Sequence, residues 1–108
     1  MFARKLSIHL KPNTLTEFSK TVDRQVVPLL RKQKGFKDEI IFATPGATDV
    51  LAISLWDNKQ NAEAYGSSTY KDILKMLDKL IEGTPNVGTT EVLSSTFHEV
   101  SAAVPVVA

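Results

Sequence analysis

The sequence predicts an α+β domain of the ferredoxin-like type, βαββαβ, with one antiparallel sheet and helices on one of its faces. Three observations predict it. Segments of period-two and helical periodicity follow one another in that order along the chain. Two β-branched-rich runs straddle "PGA" and read as a central hairpin. The 108 residues, 43% apolar and 23% charged, supply one core with no room for a second. Right-handed crossovers then favour the split βαβ arrangement. Residues 1–100 are expected to be this single domain, and 101–108, "SAAVPVVA", a loosely held tail.

In "FARKLSIHLK" (2–11), Phe2, Leu6, Ile8 and Leu10 fall on one side and Ala3, Lys5, Ser7, His9 and Lys11 on the other. That is a strand, stopped by Pro12. Asn13 reads as a turn or cap residue, and Thr14 with Glu17 fits a capping box. Leu15, Phe18, Val22, Val26 and Leu29 then recur at three and four, an amphipathic helix running to about Gln33. Pro28 predicts a kink or break within it, and Gly35 a stop.

"FKDEIIFAT" (36–44) and "TDVLAISLW" (48–56) are the hairpin strands. Asp38 and Glu39 sit on an expected edge strand, where charge discourages edge pairing. "DNKQNAEAYG" suits a short helix capped by Asp57 or Asn58 and stopped by Gly66. "SSTYKDILKMLDKLIEG" is a second helix, with Tyr70, Ile73, Leu74, Leu77, Leu80 and Ile81 on one face. Residues 89–100, "TTEVLSSTFHEV", are expected to be the last strand.

Composition excludes several function classes. Thirteen basic and twelve acidic residues leave a formal charge of +1, with no footprint for nucleic acid and no polybasic run for an anionic membrane. The absence of cysteine excludes disulfides, thiolate catalysis and cysteine-held metals. The N-terminus has no apolar stretch of signal-peptide length, and no run approaches the ~20 residues that cross a bilayer. A cytoplasmic location is the default expectation. There is no phosphate-binding glycine loop, no G-x-S-x-G and no His/carboxylate spacing for a metal, so no metal is expected.

Strand parity carries the functional information. Leu51, Ile53 and Leu55 point one way, and Val50, Ala52, Ser54 and Trp56 the other. Matching neighbouring strands by character gathers Leu6, Ile8, Leu10, Leu51, Ile53, Leu55, Leu93 and Phe97 on an aliphatic face. The other face then collects Ser7, His9, Ala52, Ser54, Trp56, Ser94, Thr96 and His98. Either the helices cover the aliphatic face and the mixed face is solvated, or the mixed face lies under the helices. In the second case small residues leave a cavity for a small molecule, and the aliphatic face meets a second copy of the chain. The residues alone leave these two arrangements level.

The Pro12-Asn13 turn, "KQKGF" before the second strand and "SLWDNKQNAEAY" at the end of the third resemble the antibiotic-biosynthesis-monooxygenase-type (ABM) domains over roughly residues 2–98. The resemblance implies a dimeric α+β barrel: a homodimer through the aliphatic sheet face, each pocket lying between a subunit's own sheet and helices. It implies a cofactor-independent monooxygenase of small aromatic or polyketide-like substrates, with Trp56 lining the pocket. Tyr65 is the nearest match to a helix tyrosine of those oxygenases, while Ala52 stands where they carry an asparagine. The heme-degrading branch needs a histidine on the helix after the tryptophan, and no histidine lies between Trp56 and His98.

His9 and His98 are candidate bases, since the first and last strands are neighbours in this fold. With Tyr65 as a hydrogen-bond donor they form the candidate catalytic set. Trp56, Ser7, Ser54 and Ala52 form the candidate substrate-binding set. Each has a plainer reading, Trp56 as core filling, the histidines as surface groups and Tyr65 as a helix anchor. A non-catalytic small-molecule-binding barrel is accordingly the alternative function, and isomerisation on the same barrel a third.

Overall fold

Phe2–His9 forms β1, Phe36–Ala43 β2, Asp49–Trp56 β3 and Asn86–Glu91 β4. The helical segments are α1 (Leu15–Thr21), a π-helical turn (Val22–Val26), α2 (Val27–Arg31), α3 (Lys59–Ser67) and α4 (Thr69–Leu77). This computed structural model describes residues 1–100; the expected tail, 101–108, lies outside the described residues. The four strands make one antiparallel sheet in the order β2-β3-β1-β4, as the ferredoxin-like reading requires.

Register decides which side chains share a face, because directly opposed residues of an antiparallel ladder project together. Leu6 stands opposite Ala52, Ile8 opposite Val50 and Arg4 opposite Ser54. On β2, Ile41 stands opposite Ala52 and Glu39 opposite Ser54. These residues form the face beneath the helices, where Val50, Ala52, Ser54 and Trp56 are all buried. The mixed face of β3 therefore lies inside. For β1 the grouping by character is corrected: Leu6 and Ile8 join the inner face, and Ser7 and His9 project outward beside Leu51 and Asp49. Aliphatic character had paired Leu6 with Leu51; the ladder pairs it with Ala52, where a large residue complements a small one.

The first helix is interrupted upstream of Pro28. Val27 N–H reaches back five residues to the carbonyl of Val22, closing a π turn over Val22–Val26. Pro28 then occupies the first turn of α2, where its missing N–H is tolerated. Thr14 does precede α1, but its side chain makes no capping bond. Its hydroxyl instead donates to the Lys11 carbonyl at 2.7 Å, which replaces the expected capping box. Asn13 takes a positive φ of 62°, as a turn residue does.

Asn58 caps α3, its side chain accepting from Asn61 N–H at 2.9 Å. Gly66 lies inside α3 and does not stop it. A Cβ there would collide with the Arg4 guanidinium, so the glycine permits close approach of helix and sheet. The last strand is also corrected: β4 ends at Glu91, and residues 92–100 are not strand. His98 therefore has no place beside β1. Its Nε2 lies 3.1 Å from Asp38 Oδ2 on β2.

The core fills the space between sheet and helices, with Ile8, Phe18, Leu30, Trp56, Tyr70 and Leu77 among its buried members. Outside, Ile40, Phe42 and Leu51 remain exposed on the uncovered sheet face. Among the described residues no helix is long and apolar enough to cross a membrane.

Candidate functional site

Three inner-face positions put small or polar side chains where the helices cannot fill the space: Ala52 and Ser54 on β3, and Glu39 on β2. Above them a partly enclosed cavity of about 40 Å³ is walled by Phe18, Val22 and Val26 from the first helical segment and by Tyr65 and Tyr70 from α3 and α4. Its walls are otherwise aliphatic. Its polar lining consists of Glu39, Ser54, Tyr65 and Tyr70.

An aromatic column stands at one end. Phe36 meets Trp56 edge-on, with centroids 5.6 Å apart. Trp56 stacks on Tyr65 at 4.7 Å and 30°, and Tyr65 lies 6.0 Å from Tyr70. Trp56 is 0% exposed, and its Nε1–H donates to Ser54 Oγ at 2.9 Å. It does not line the cavity; it backs Tyr65, which does.

The guanidinium of Arg4 covers this column. Its central carbon lies 5.4 Å from the Tyr65 ring centroid and 4.8 Å from that of Tyr70, a cation–π arrangement on two rings. Arg4 is 6% exposed, and among the described residues no carboxylate lies within ion-pair distance of it. Its Nε–H and the Tyr70 hydroxyl are both buried with no hydrogen-bond partner there.

The electrostatics follow from this burial. Desolvation pushes the Glu39 carboxyl up to about 7. The Tyr65 hydroxyl is pushed well above the ordinary phenol range, first by burial and then by the nearby Glu39 charge, with Arg4 opposing. Burial raises Tyr70 as well, again against Arg4. The cavity thus holds a carboxyl that exchanges its proton near neutrality, two neutral phenols and one adjacent fixed positive charge.

Of the residues singled out from sequence, Ala52, Ser54 and Tyr65 line the cavity, and Trp56 stands one ring behind it. Ser7 and His9 lie on the opposite sheet face, in an open depression of about 670 Å³ with Asp49 and Asn86. That depression is larger, but it is a solvent-open surface with no closing wall. His9 Nδ1 lies 2.9 Å from Asp49 Oδ1 and its Nε2 3.6 Å from Glu82, and the first contact raises its pKa above the ordinary value. The two candidate bases do not meet each other or the cavity.

Sequence reading missed Arg4, Glu39 and Tyr70. Arg4 shares the parity of Phe2, Leu6 and Ile8, and a charge at an inward strand position was the available signal. Glu39 does lie on an edge strand, but its side chain turns inward with Ile41.

The fold has counterparts among solved structures. No protein-family model matches the chain, and no curated protein matches it. Solved structures do. A monooxygenase from the gene ActVA-Orf6 of Streptomyces coelicolor, in complex with nanaomycin D, is 16% identical, with a TM-score of 0.73 over 91% of this chain and 92% of that one. SnoaB, a cofactor-independent oxygenase from Streptomyces nogalater, is 12% identical, with a TM-score of 0.71 over 88% and 95%. HapK from Hahella chejuensis is 13% identical, with a TM-score of 0.72 over 92% and 99%. The chain shares the ferredoxin-like α+β fold of these proteins.

Proposed function

We propose that the chain is a cofactor-independent monooxygenase of the ABM type, acting on a small aromatic or polyketide-like substrate between sheet and helices. The observation that carries this reading is the partly enclosed cavity in which Glu39, Ser54, Tyr65 and Tyr70 converge among aliphatic walls. Two of the fold's structural counterparts are described as a monooxygenase and a cofactor-independent oxygenase, which supports the choice of chemistry.

A base removes a proton from an activated methylene or phenol, and the resulting anion is electron-rich enough to reduce dioxygen directly. For an anthrone-type methylene the balance is CH2 + O2 → C=O + H2O. The carbon gives up four electrons, and the two oxygen atoms leave as one carbonyl and one water. The protein's part is to desolvate the substrate, remove the proton and hold the anion.

A cavity of about 40 Å³ is well short of a small-molecule site. Beside it lies an open groove of about 360 Å³ between α1, the π turn and β2, and the two share Phe18, Val22, Glu39 and Ile41 as a partition. The substrate enters along this groove and joins the two spaces by displacing that partition. The π turn, whose backbone bonding is already irregular, is the segment that yields.

The same reading makes the protein a homodimer through the outer sheet face, where Ile40, Phe42 and Leu51 are exposed around half-buried Ile53 and Leu55. A monomer at micromolar concentration in light scattering would argue against it. Oxygen uptake with a panel of hydroxyanthrones tests the activity: quinone formation with uptake of one O2 per substrate is the expected result. Binding of the panel without uptake would leave a binding protein.

A further inference from the structure

Arg4, Ser54 and Glu39 form one row across the inner face of the sheet. Arg4 and Glu39 each stand directly opposite Ser54, on β1 and β2 respectively. Adjacent Cα atoms in such a row are about 4.5–5.5 Å apart, so the two charged residues stand on either side of Ser54, Glu39 lining the cavity and Arg4 lying behind the Tyr65 and Tyr70 rings. They do not pair with each other: no ion pair joins them. Two buried donors near this row, Arg4 Nε–H and the Tyr70 hydroxyl, lack an acceptor among the described residues. Leaving such groups unpaired carries a desolvation penalty, and the Tyr70 hydroxyl, which lines the cavity, is the one that a ligand's acceptor atom would relieve.

We propose that Glu39 is the proton acceptor of this cavity, and that its occupant is a weak oxygen or carbon acid of the phenol or anthrone class, kept as its anion by the charge of Arg4. The proposal rests on the oxygenase reading for the fate of that anion, but not for its formation. In the step itself the O–H or C–H bond of the occupant breaks and its electron pair stays behind as phenolate or enolate. An O–H bond forms on a Glu39 carboxylate oxygen. Nothing is oxidised or reduced; one negative charge moves from β2 toward the guanidinium. Arg4 is the positioning residue, acting through the Tyr65 and Tyr70 rings that it covers. Ser54, whose oxygen already accepts from Trp56, has its own O–H left to donate.

The remaining ionisable groups around Glu39 are few. Tyr65 faces it from α3 and Tyr70 from α4, Arg4 on β1 lies beyond these two rings, and Asp23 on the π turn shares the adjoining groove. Asp38, its neighbour in β2, accepts the Glu39 backbone N–H at 3.0 Å. Both phenols are held neutral by burial, which leaves Glu39 as the group that changes charge near neutral pH.

The test uses two probes on the full chain. The first is 4-nitrophenol, colourless as the acid and yellow as the anion, titrated with and without protein. Bound to the wild type, its ionisation is expected to shift downward by about one pH unit, a tenfold preference for the anion. Arg4→Met is expected to abolish the shift and Arg4→Lys to keep part of it, so loss of folding in the first variant leaves the second to decide. Failure of 4-nitrophenol to bind, or an unshifted colour in the wild type, overturns the proposal. The second probe is 1,8-dihydroxyanthrone with oxygen uptake followed against pH. Wild-type kcat/KM is expected to rise through about pH 7. Glu39→Gln is expected to lose about 100-fold or more and to flatten that rise, while still binding 4-nitrophenol. Turnover by Glu39→Gln at the wild-type rate would sink the proposal while leaving the oxygenase reading intact. Absence of uptake in the wild type would sink the oxygenase reading, and the 4-nitrophenol shift would then decide the present proposal by itself.

Discussion

Trp56 Nε1–H donates to Ser54 Oγ at 2.9 Å, between two side chains of one strand that are both buried. Residues two apart on a strand share a face, so the tryptophan is satisfied by its own β3 and needs no ligand to complete it. Removing the hydroxyl strands a buried indole N–H. Ser54→Ala is therefore expected to cost about 1–3 kcal/mol. That corresponds to a fall in melting temperature of about 4–8 °C per kcal/mol, measured by circular dichroism. A double-mutant cycle with Trp56→Phe should show the pair: the double variant loses less than the sum of the two single ones. Additive losses would mean that the bond contributes nothing.

Glu39 makes stability fall as pH rises. Its carboxyl is pushed from 4.5 up to about 7 in the folded state, so the native chain binds its proton more tightly than the unfolded chain does. Below about pH 4.5 both states are protonated and the residue imposes no penalty. Between that value and about 7 the unfolded state ionises first and stability declines; above 7 the loss is complete. The loss should be on the order of 2 kcal/mol, discounted for the partial exposure of the side chain. Glu39→Gln should remove this pH dependence. In urea denaturation it is expected to be more stable than the wild type at pH 8 and indistinguishable at pH 4. Equal stability at both would show that the carboxyl is solvated.

His9 is expected to be irrelevant to the chemistry. It projects from the outer face, with its raised pKa set first by the hydrogen bond to Asp49 and helped by the charges of Asp49 and Glu82. NMR titration should place it above the ordinary imidazole value, and Asp49→Asn should bring it back down. Any stability it lends is present while the ring is protonated and fades as pH rises through that raised value. His9→Ala should leave oxygen uptake unchanged; a large loss would return the site to the other face of the sheet.

The topology was legible because it rests on local signals that survive in any context: alternation, turn residues around the hairpin, and helical spacing before Leu29 and after Tyr70. The side of the sheet that each β1 residue faces was not, because it depends on register against β3, and no pattern within β1 reports that. Matching Leu6 to Leu51 looked reasonable, while the ladder sets Leu6 against Ala52. This one slip put His9 in the cavity and took attention from Arg4. Glu39 was hidden for a related reason. A carboxylate on an edge strand is most simply a guard against edge pairing, and only the register with Ser54 shows it turned inward. The residues alone left open which face of β3 the helices cover, and which of Trp56 and Tyr65 touches the cavity depends on how the rings stack.

Ala52 controls whether the cavity exists. It stands opposite both Leu6 and Ile41, and its methyl group leaves the space above it open. Valine adds about two methyl groups, close to the volume of the void, and suits a strand. Filling a cavity of this kind commonly stabilises by about 0.5–2 kcal/mol. Ala52→Val is therefore expected to raise the melting temperature while weakening 4-nitrophenol binding about tenfold or more, a loss of about 1.4 kcal/mol. Opposite signs for stability and binding are the signature of a space kept open for a ligand. Were the space merely a packing defect, the variant would be stabilised and probe binding would not change, and the site would have to be sought elsewhere on the molecule.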